Sequence, residues 1–370
     1  MNSEQIVLIG TYTEPIRFGT GRILEGKGEG IYCYRFDPEK GKFRFVSLAK
    51  GVVNPSFLTA TKSLNRVYAV NELKKAEGQD SGMISAFAFD PASGGLTFLN
   101  SRLTGGTDPC FVVLDRCERF AAVANFMSGS IAIFPVLSDG SLGSAATRVQ
   151  HEGSGPDPLR QTGPHAHSVI FDPSNRTMFV PDLGLDSIVA YDFDETSGRV
   201  TANPARSAVS IPGAGPRHME IHRSGRFAYT VNELNSTITA STYDAQAMIL
   251  SAFQEISTLP ADYKGSSSCA DLHIGVSGRF LYASNRGHDS IAIYSIEEGT
   301  GRLRALGHES TRGGVPRNFT LDATGRWMLV ANQDTDQIVL YNVDVVTGML
   351  EFSGTELKVP TPVCVRAFPV

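Results

Sequence analysis

Five residues pose the chemical question: His167, Arg217, Glu233, Arg286 and Arg317. Arginine makes paired, charge-assisted hydrogen bonds to carboxylate and phosphate, while histidine and glutamate exchange protons with reacting groups. Gathered in one place, they would hold a small anion, take a proton from water and stabilise a developing oxyanion. Other polar residues nearby in the pattern are suited to grip the rest of such a molecule. They are His165, His218, Asp182, Asp271, Asn318 and Gln333, with Arg17 and Arg22 in a long segment near the start. Competing chemistries have less support. The chain has no G-x-S-x-G elbow, no HExxH and no phosphate-binding loop, so nothing marks a covalent nucleophile or a nucleotide site. His165-Ala166-His167 offers two imidazoles on an extended chain, but no third ligand stands at metal-like spacing, and no metal or other cofactor is expected.

A repeat must bring these distant residues together. Pro216 to Ile221, the turn Ser224-Gly225-Arg226 and Phe227 to Asn232 read as strand, tight turn, strand. The same shape recurs around Ser277-Gly278-Arg279-Phe280 and Thr324-Gly325-Arg326-Trp327. Less regular copies join Pro55 to Asn71, Pro109 to Asn125 and Ala166 to Asp182. In each the first and last residues lie sixteen positions apart, and the six copies begin at 55, 109, 166, 216, 269 and 316. Every copy is followed by an alternating strand and an acidic or glycine-bearing turn, which makes a four-stranded antiparallel unit of propeller-blade length. A seventh unit is split: Pro362 to Phe368 supplies a first strand, and Ile6 to Gly10, Gly30 to Phe36 and Phe43 to Leu48 supply the rest. The expectation is one all-β domain, a seven-bladed β-propeller over residues 1–370 closed by both termini in one blade. Stacked sandwiches or a solenoid share the hairpin spacing but have no use for a split unit.

In such a ring the start of each first strand and the end of each second strand reach the same channel mouth, because the two are antiparallel. The sixteen-residue frame therefore collects the candidate residues. Most repeated positions have plainer roles. Gly225, Gly278 and Gly325 read as turn glycines, Phe227, Phe280 and Trp327 as packing residues, and the recurrent Asn71, Asn125, Asn232, Asn285 and Asn332 as caps. Three long loops, 13–28, 73–81 and 150–163, are candidate lids on this face.

Composition agrees and excludes. With 37 glycines, 19 prolines and 41% apolar residues in 370, the chain suits a turn-rich β protein. A net charge of −5 without a Lys/Arg run gives no footprint for nucleic acid. No apolar run approaches bilayer-spanning length, so no membrane partner is expected. Five scattered cysteines and a start lacking a basic-then-apolar leader point to a reduced, cytoplasmic protein. Whether it is a monomer or a dimer is left open.

Five segments stand out: Gly213-Ala214-Gly215-Pro216-Arg217-His218-Met219, Val231-Asn232-Glu233-Leu234-Asn235, Ala270-Asp271-Leu272-His273-Ile274, Pro316-Arg317-Asn318-Phe319 and Gly10-Thr11-Tyr12-Thr13. They resemble the lactonase-type seven-bladed propellers, which include the propeller form of 6-phosphogluconolactonase and the fungal carboxymuconate cyclase. The resemblance runs over essentially the whole chain. It implies a catalytic set of His167, Arg217, Glu233 and Arg286, and hydrolysis of a small anionic sugar-acid lactone with His167 or Glu233 as the base. A muconate-type lactonizing cyclase would use the same arginines with a proton donor. A non-catalytic interaction propeller would instead carry aromatic patches on its rim. The 13–28 insertion resembles that of members acting on unphosphorylated lactones.

Overall fold

The strands differ in how they are covered, and that difference builds the architecture. Second strands such as Phe120–Asn125, Thr177–Asp182 and Phe227–Asn232 are buried at every position, whereas the outermost strand Leu350–Lys358 keeps alternating exposed residues. A strand buried on both faces needs a neighbouring sheet on each side. The computed structural model, which describes residues 4–370, supplies those neighbours as seven antiparallel blades arranged in a ring, each of four strands, with the short Ala208–Val209 added to the fourth. The innermost strands are Pro362–Pro369, Phe57–Ala60, Pro109–Leu114, Ile170–Phe171, Pro216–Ile221, Ser268–Ile274 and Pro316–Leu321. No helix long and apolar enough to cross a membrane occurs among the described residues.

The ring closes as the split unit requires. Gln5–Thr11 pairs with Pro362–Pro369 on one side and Gly30–Asp37 on the other, and Lys42–Lys50 completes that blade. One packing device recurs at the joints. Four of the glycines ending outer hairpins sit against the aromatic residue that follows the inner turn of the preceding blade, whereas Gly94 meets Val46 and Gly140 meets Arg66. A Cβ on Gly198 would lie 2.4 Å from Phe120, on Gly301 2.4 Å from Phe227, on Gly348 2.4 Å from Phe280, and on Gly41 2.6 Å from Trp327. These glycines have φ of 61–77° and serve the turn and the close approach together. Tyr68, Tyr229 and Tyr282 also donate from their hydroxyls to carbonyls of Gly140, Gly301 and Gly348 in the next blade. The Trp327–Gly41 contact, with Trp327 Nε1 donating to Pro38 at 2.8 Å, shows the terminal joint sealed like the others.

In four of the six copies the first and last residues of the frame are direct cross-strand partners: Pro109 with Asn125, Pro216 with Asn232, Cys269 with Asn285 and Pro316 with Asn332. Just inside each pair the ladder shifts, leaving Cys110, Arg217, Ala270-Asp271 and Arg317 as the extra residues of β-bulges. Bulges re-aim side chains, and here they turn consecutive residues toward the channel. The fourth blade departs from the pattern. Its inner strand is only Ile170–Phe171, and Ala166 meets Asp182 through an isolated bridge.

Candidate active site

At the mouth where the second strands end, a cavity of about 440 Å³ opens into the channel. His167, Glu233, Arg286, Arg317 and Gln333 line it. So do Glu72, Asp108, Cys110, Phe126 and Arg160, together with the Ser266–Ser268 segment. The expected lid at 13–28 is a small hairpin, Ile16–Arg17 paired with Ile23–Leu24, that brings Arg17, Phe18 and Arg22 to the rim. Phe18 packs edge-on to the buried Tyr12, while Arg22 and Lys27 form ion pairs with Asp334 and Asp336. The 150–163 loop contributes Arg160; the 73–81 loop contributes nothing to the lining.

The centre of the site is a carboxylate shared by three guanidinium groups. Glu233 Oε2 accepts from Arg217 Nε at 3.1 Å and lies 2.8 Å from Arg286 Nη2. Glu233 Oε1 accepts from Arg160 Nη2 at 2.7 Å. Burial alone would raise this carboxyl, but Arg286, Arg160 and Arg217 outweigh it and hold Glu233 well below the usual carboxylate range. The arginines respond in turn. Burial, aided by Arg286 and Arg317, lowers Arg217 to about 10.

His167 sits beside this cluster with the opposite character. Burial, then the charge of Arg217, push its imidazole well below the ordinary histidine value, so it is neutral at physiological pH. The Cys110 thiol donates to the His167 carbonyl at 3.5 Å, and its sulfur lies 3.6 Å from Nδ1. With the S–H spent on the carbonyl, the sulfur is left to accept from Nδ1–H. That assignment leaves the Nε2 lone pair free, and Nε2 has no hydrogen-bond partner among the described residues. Across the cavity, Arg317 lies over the rings of Tyr12 and Phe18. The Tyr12 hydroxyl donates to Glu72 at 3.0 Å. Burial raises both Glu72 and Asp108, and Asp108, with Glu72 adding to the effect, reaches about 7.

Several expected placements need correction. Arg217 is not on the cavity wall: it is 2% exposed and lies beneath it, with His218 and Asn318, in a narrow continuation of the channel. His218 and Asp271 face the opposite end, where they line a second cavity, and Asn318 bonds Asp271. The frame located a mouth but not a depth, and the bulges drive these side chains inward. Asp182 is a strand cap whose Oδ1 accepts from the backbone of His165, Gly184 and Leu185 and whose Oδ2 meets His151. His165 stacks on Phe126 and donates Nδ1–H to its carbonyl at 2.9 Å. The recurrent asparagines bond within their own blade or to nearby connections: Asn71 to Val53, Asn285 to Thr258, Asn332 to Thr311. Among the described residues no three His, Cys, Asp or Glu side chains are grouped to hold a metal ion.

Known proteins place the chain. A family model described as lactonase, 7-bladed beta-propeller, matches residues 6–367. The chain belongs to this lactonase family. It is 35% identical to a 6-phosphogluconolactonase of Bacillus subtilis, with 98% of each chain covered. It is 34% identical to a 6-phosphogluconolactonase of Formosa agariphila, covering 80% of this chain and 83% of the other. The solved structure described as the periplasmic gluconolactonase of Pseudomonas aeruginosa superposes with a TM-score of 0.91 at 32% identity, with both chains covered in full.

The lactonase site also holds residues that sequence reasoning missed. Glu72 had a legible cue, since Val70-Asn71-Glu72-Leu73 repeats the Val231-Asn232-Glu233-Leu234 tetrapeptide three blades away. Arg160 had none, because it reaches Glu233 from a loop outside the repeat. Asp108 stands just before the frame that begins at Pro109.

Proposed function

We propose that this lactonase opens the ring of a sugar-acid lactone, aldonic or aldaric, with His167 rather than Glu233 as the general base. The observation that carries the assignment is the division of labour between the two. Both oxygens of Glu233 are occupied by arginines, and a carboxylate held so far below its usual range is a poor base. His167 is neutral, and its Nε2 is free in the same cavity.

In this mechanism Nε2 takes a proton from water as the oxygen attacks the ring carbonyl. Arg286, steadied by Glu233, stabilises the oxyanion. The ester C–O bond then breaks, and the His167 imidazolium returns the proton to the departing ring oxygen. The net change is the addition of one water, and no cofactor is consumed. Arg317 and Arg17 suit a distal carboxylate or phosphate; Arg17 makes no ion pair among the described residues. The names of the relatives support both phosphorylated and unphosphorylated gluconolactones as substrates to test.

The test is acid release, followed with a pH indicator, from glucono-, 6-phosphoglucono-, glucaro- and galactarolactone. Turnover of at least one is expected, with His167→Gln slowing it by about 10²–10⁴-fold. Failure to exceed spontaneous hydrolysis on all four would remove the proposal.

A further inference from the structure

A chain of paired side chains leaves the active site and runs the length of the channel. It begins at Glu233 and Arg217. Arg217 Nη1 lies 3.2 Å from His218 Nε2, and His218 Nδ1 lies 2.7 Å from Asp271 Oδ1. Asp271 Oδ2 is 3.2 Å from His273 Nε2, and His273 Nδ1 is 2.6 Å from Glu220 Oε1. His273 and Glu220 line the cavity of about 390 Å³ at the opposite end. Inner strands Pro216–Ile221 and Ser268–Ile274 supply every member between Arg217 and Glu220.

Hydrogen-bond roles along this chain are forced from one end. A guanidinium only donates, so His218 Nε2 must accept and carry no proton. His218 Nδ1 then bears the hydrogen and donates it to Asp271. Asp271 is fixed by three further donors, the Asn318 amide and the backbone N–H groups of Phe319 and Leu272. Its second oxygen takes the His273 proton. The charges alternate to match. Burial opposes a charge on His273, but Asp271 and Glu220 prevail and raise it to about 10. Burial and Arg217 depress His218 to about 4.

We infer that His218, Asp271 and His273 are positioning residues, a buried relay that fixes the His218 tautomer and through it aims the Arg217 guanidinium at Glu233. The inference rests on the lactonase reading of the site for its kinetic arm only. Arg217 is held from behind by His218 and by the Ala270 carbonyl, and from the front by Glu233. A His218 carrying hydrogen on Nε2 would set donor against donor and turn the arginine away.

The test uses the full chain labelled with ¹⁵N-histidine. Spectra at neutral pH should show His218 protonated on Nδ1 alone and His273 protonated on both nitrogens. On the best lactone substrate, His218→Leu, which offers no acceptor, should lower kcat by about 10²-fold, the scale of a 1 Å misplacement. His218→Gln, whose amide oxygen can occupy the place of Nε2, should restore kcat to within about tenfold of the parent, with KM steady across the set. An Nε2-protonated His218, or equal kcat in both variants and the parent, would overturn the relay. If His218→Leu does not fold, Glu220→Gln serves: loss of the second proton from His273 at pH 8 to 9 supports the chain, and an unchanged His273 counts against it. Spectra are independent of turnover, so an absence of lactonase activity would not be mistaken for failure of the relay.

Discussion

Replacing Glu233 by alanine withdraws one negative charge from a point where Arg160, Arg217 and Arg286 meet at 2.7–3.1 Å. Arg217 and Arg286 have side chains 2% and 14% exposed, so water cannot fully replace the lost partner. Removing one member of a buried ion pair costs about 3–5 kcal/mol, because an uncompensated charge stays behind. For 370 residues the unfolding entropy at about 2.1 cal/mol/K per residue comes to roughly 0.8 kcal/mol/K, so Tm should fall by roughly 4–6 °C. Calorimetry reads this directly, and turnover on the best lactone should fall in the same variant as Arg286 loses its anchor. Arg160 provides an internal check. It is the least buried of the three, at 19% exposure, and comes from a loop. Adding Arg160→Ala to Glu233→Ala should recover about 1–2 kcal/mol, a coupling within the range found for contacting residues. A Glu233→Ala protein that loses turnover but melts within about 1 °C of the parent would refute the anchor role and return Glu233 to the base assignment.

Two further outcomes follow. Because burial and Arg217 depress His167, its base form persists on acidification, so kcat/KM should stay level through neutral pH and fall only well below the usual histidine value near 6.5; an acid limb centred at 6.5 or above would contradict the burial argument. Gly301→Ala combines a left-handed residue at φ 69° with a Cβ 2.4 Å from the Phe227 ring and should cost about 2–5 kcal/mol by unfolding in denaturant. Gly51→Ala, at φ 78° with nothing within 4 Å, should cost only about 1–2 kcal/mol; equal costs would show that the blade joint contributes nothing.

Blade count, closure and the mouth of the channel were all legible, and for one reason. The sixteen-residue interval is the distance between two residues that pair across a hairpin, so it records real register: Pro216 with Asn232, Pro316 with Asn332. Depth was not legible. A bulge changes which of two successive residues faces the channel top, and Arg217 and His218 both turned inward where period-two alternation would have separated them. The same effect sent Asp271 and Asn318 away from the cavity. Arg160 shows a different blindness, since a loop outside the repeat carries no frame to count from.

An ion network of this size is a poor way to stabilise a channel. Replacing buried ion pairs with well-packed apolar side chains is often neutral or stabilising. The ring, moreover, does not depend on it. Five of the seven blade joints are held by aromatic residues on turn glycines or by tyrosines bonded to the next blade. The channel network is ordered rather than merely mixed: Glu233, Arg217, neutral His218, Asp271, His273, Glu220. Such an order fixes the direction of every proton in the chain and keeps a rigid cation beside the uncharged His167 imidazole, the setting that the proposed base role needs. That is what ester hydrolysis requires of its surroundings, and packing alone gives no reason for it.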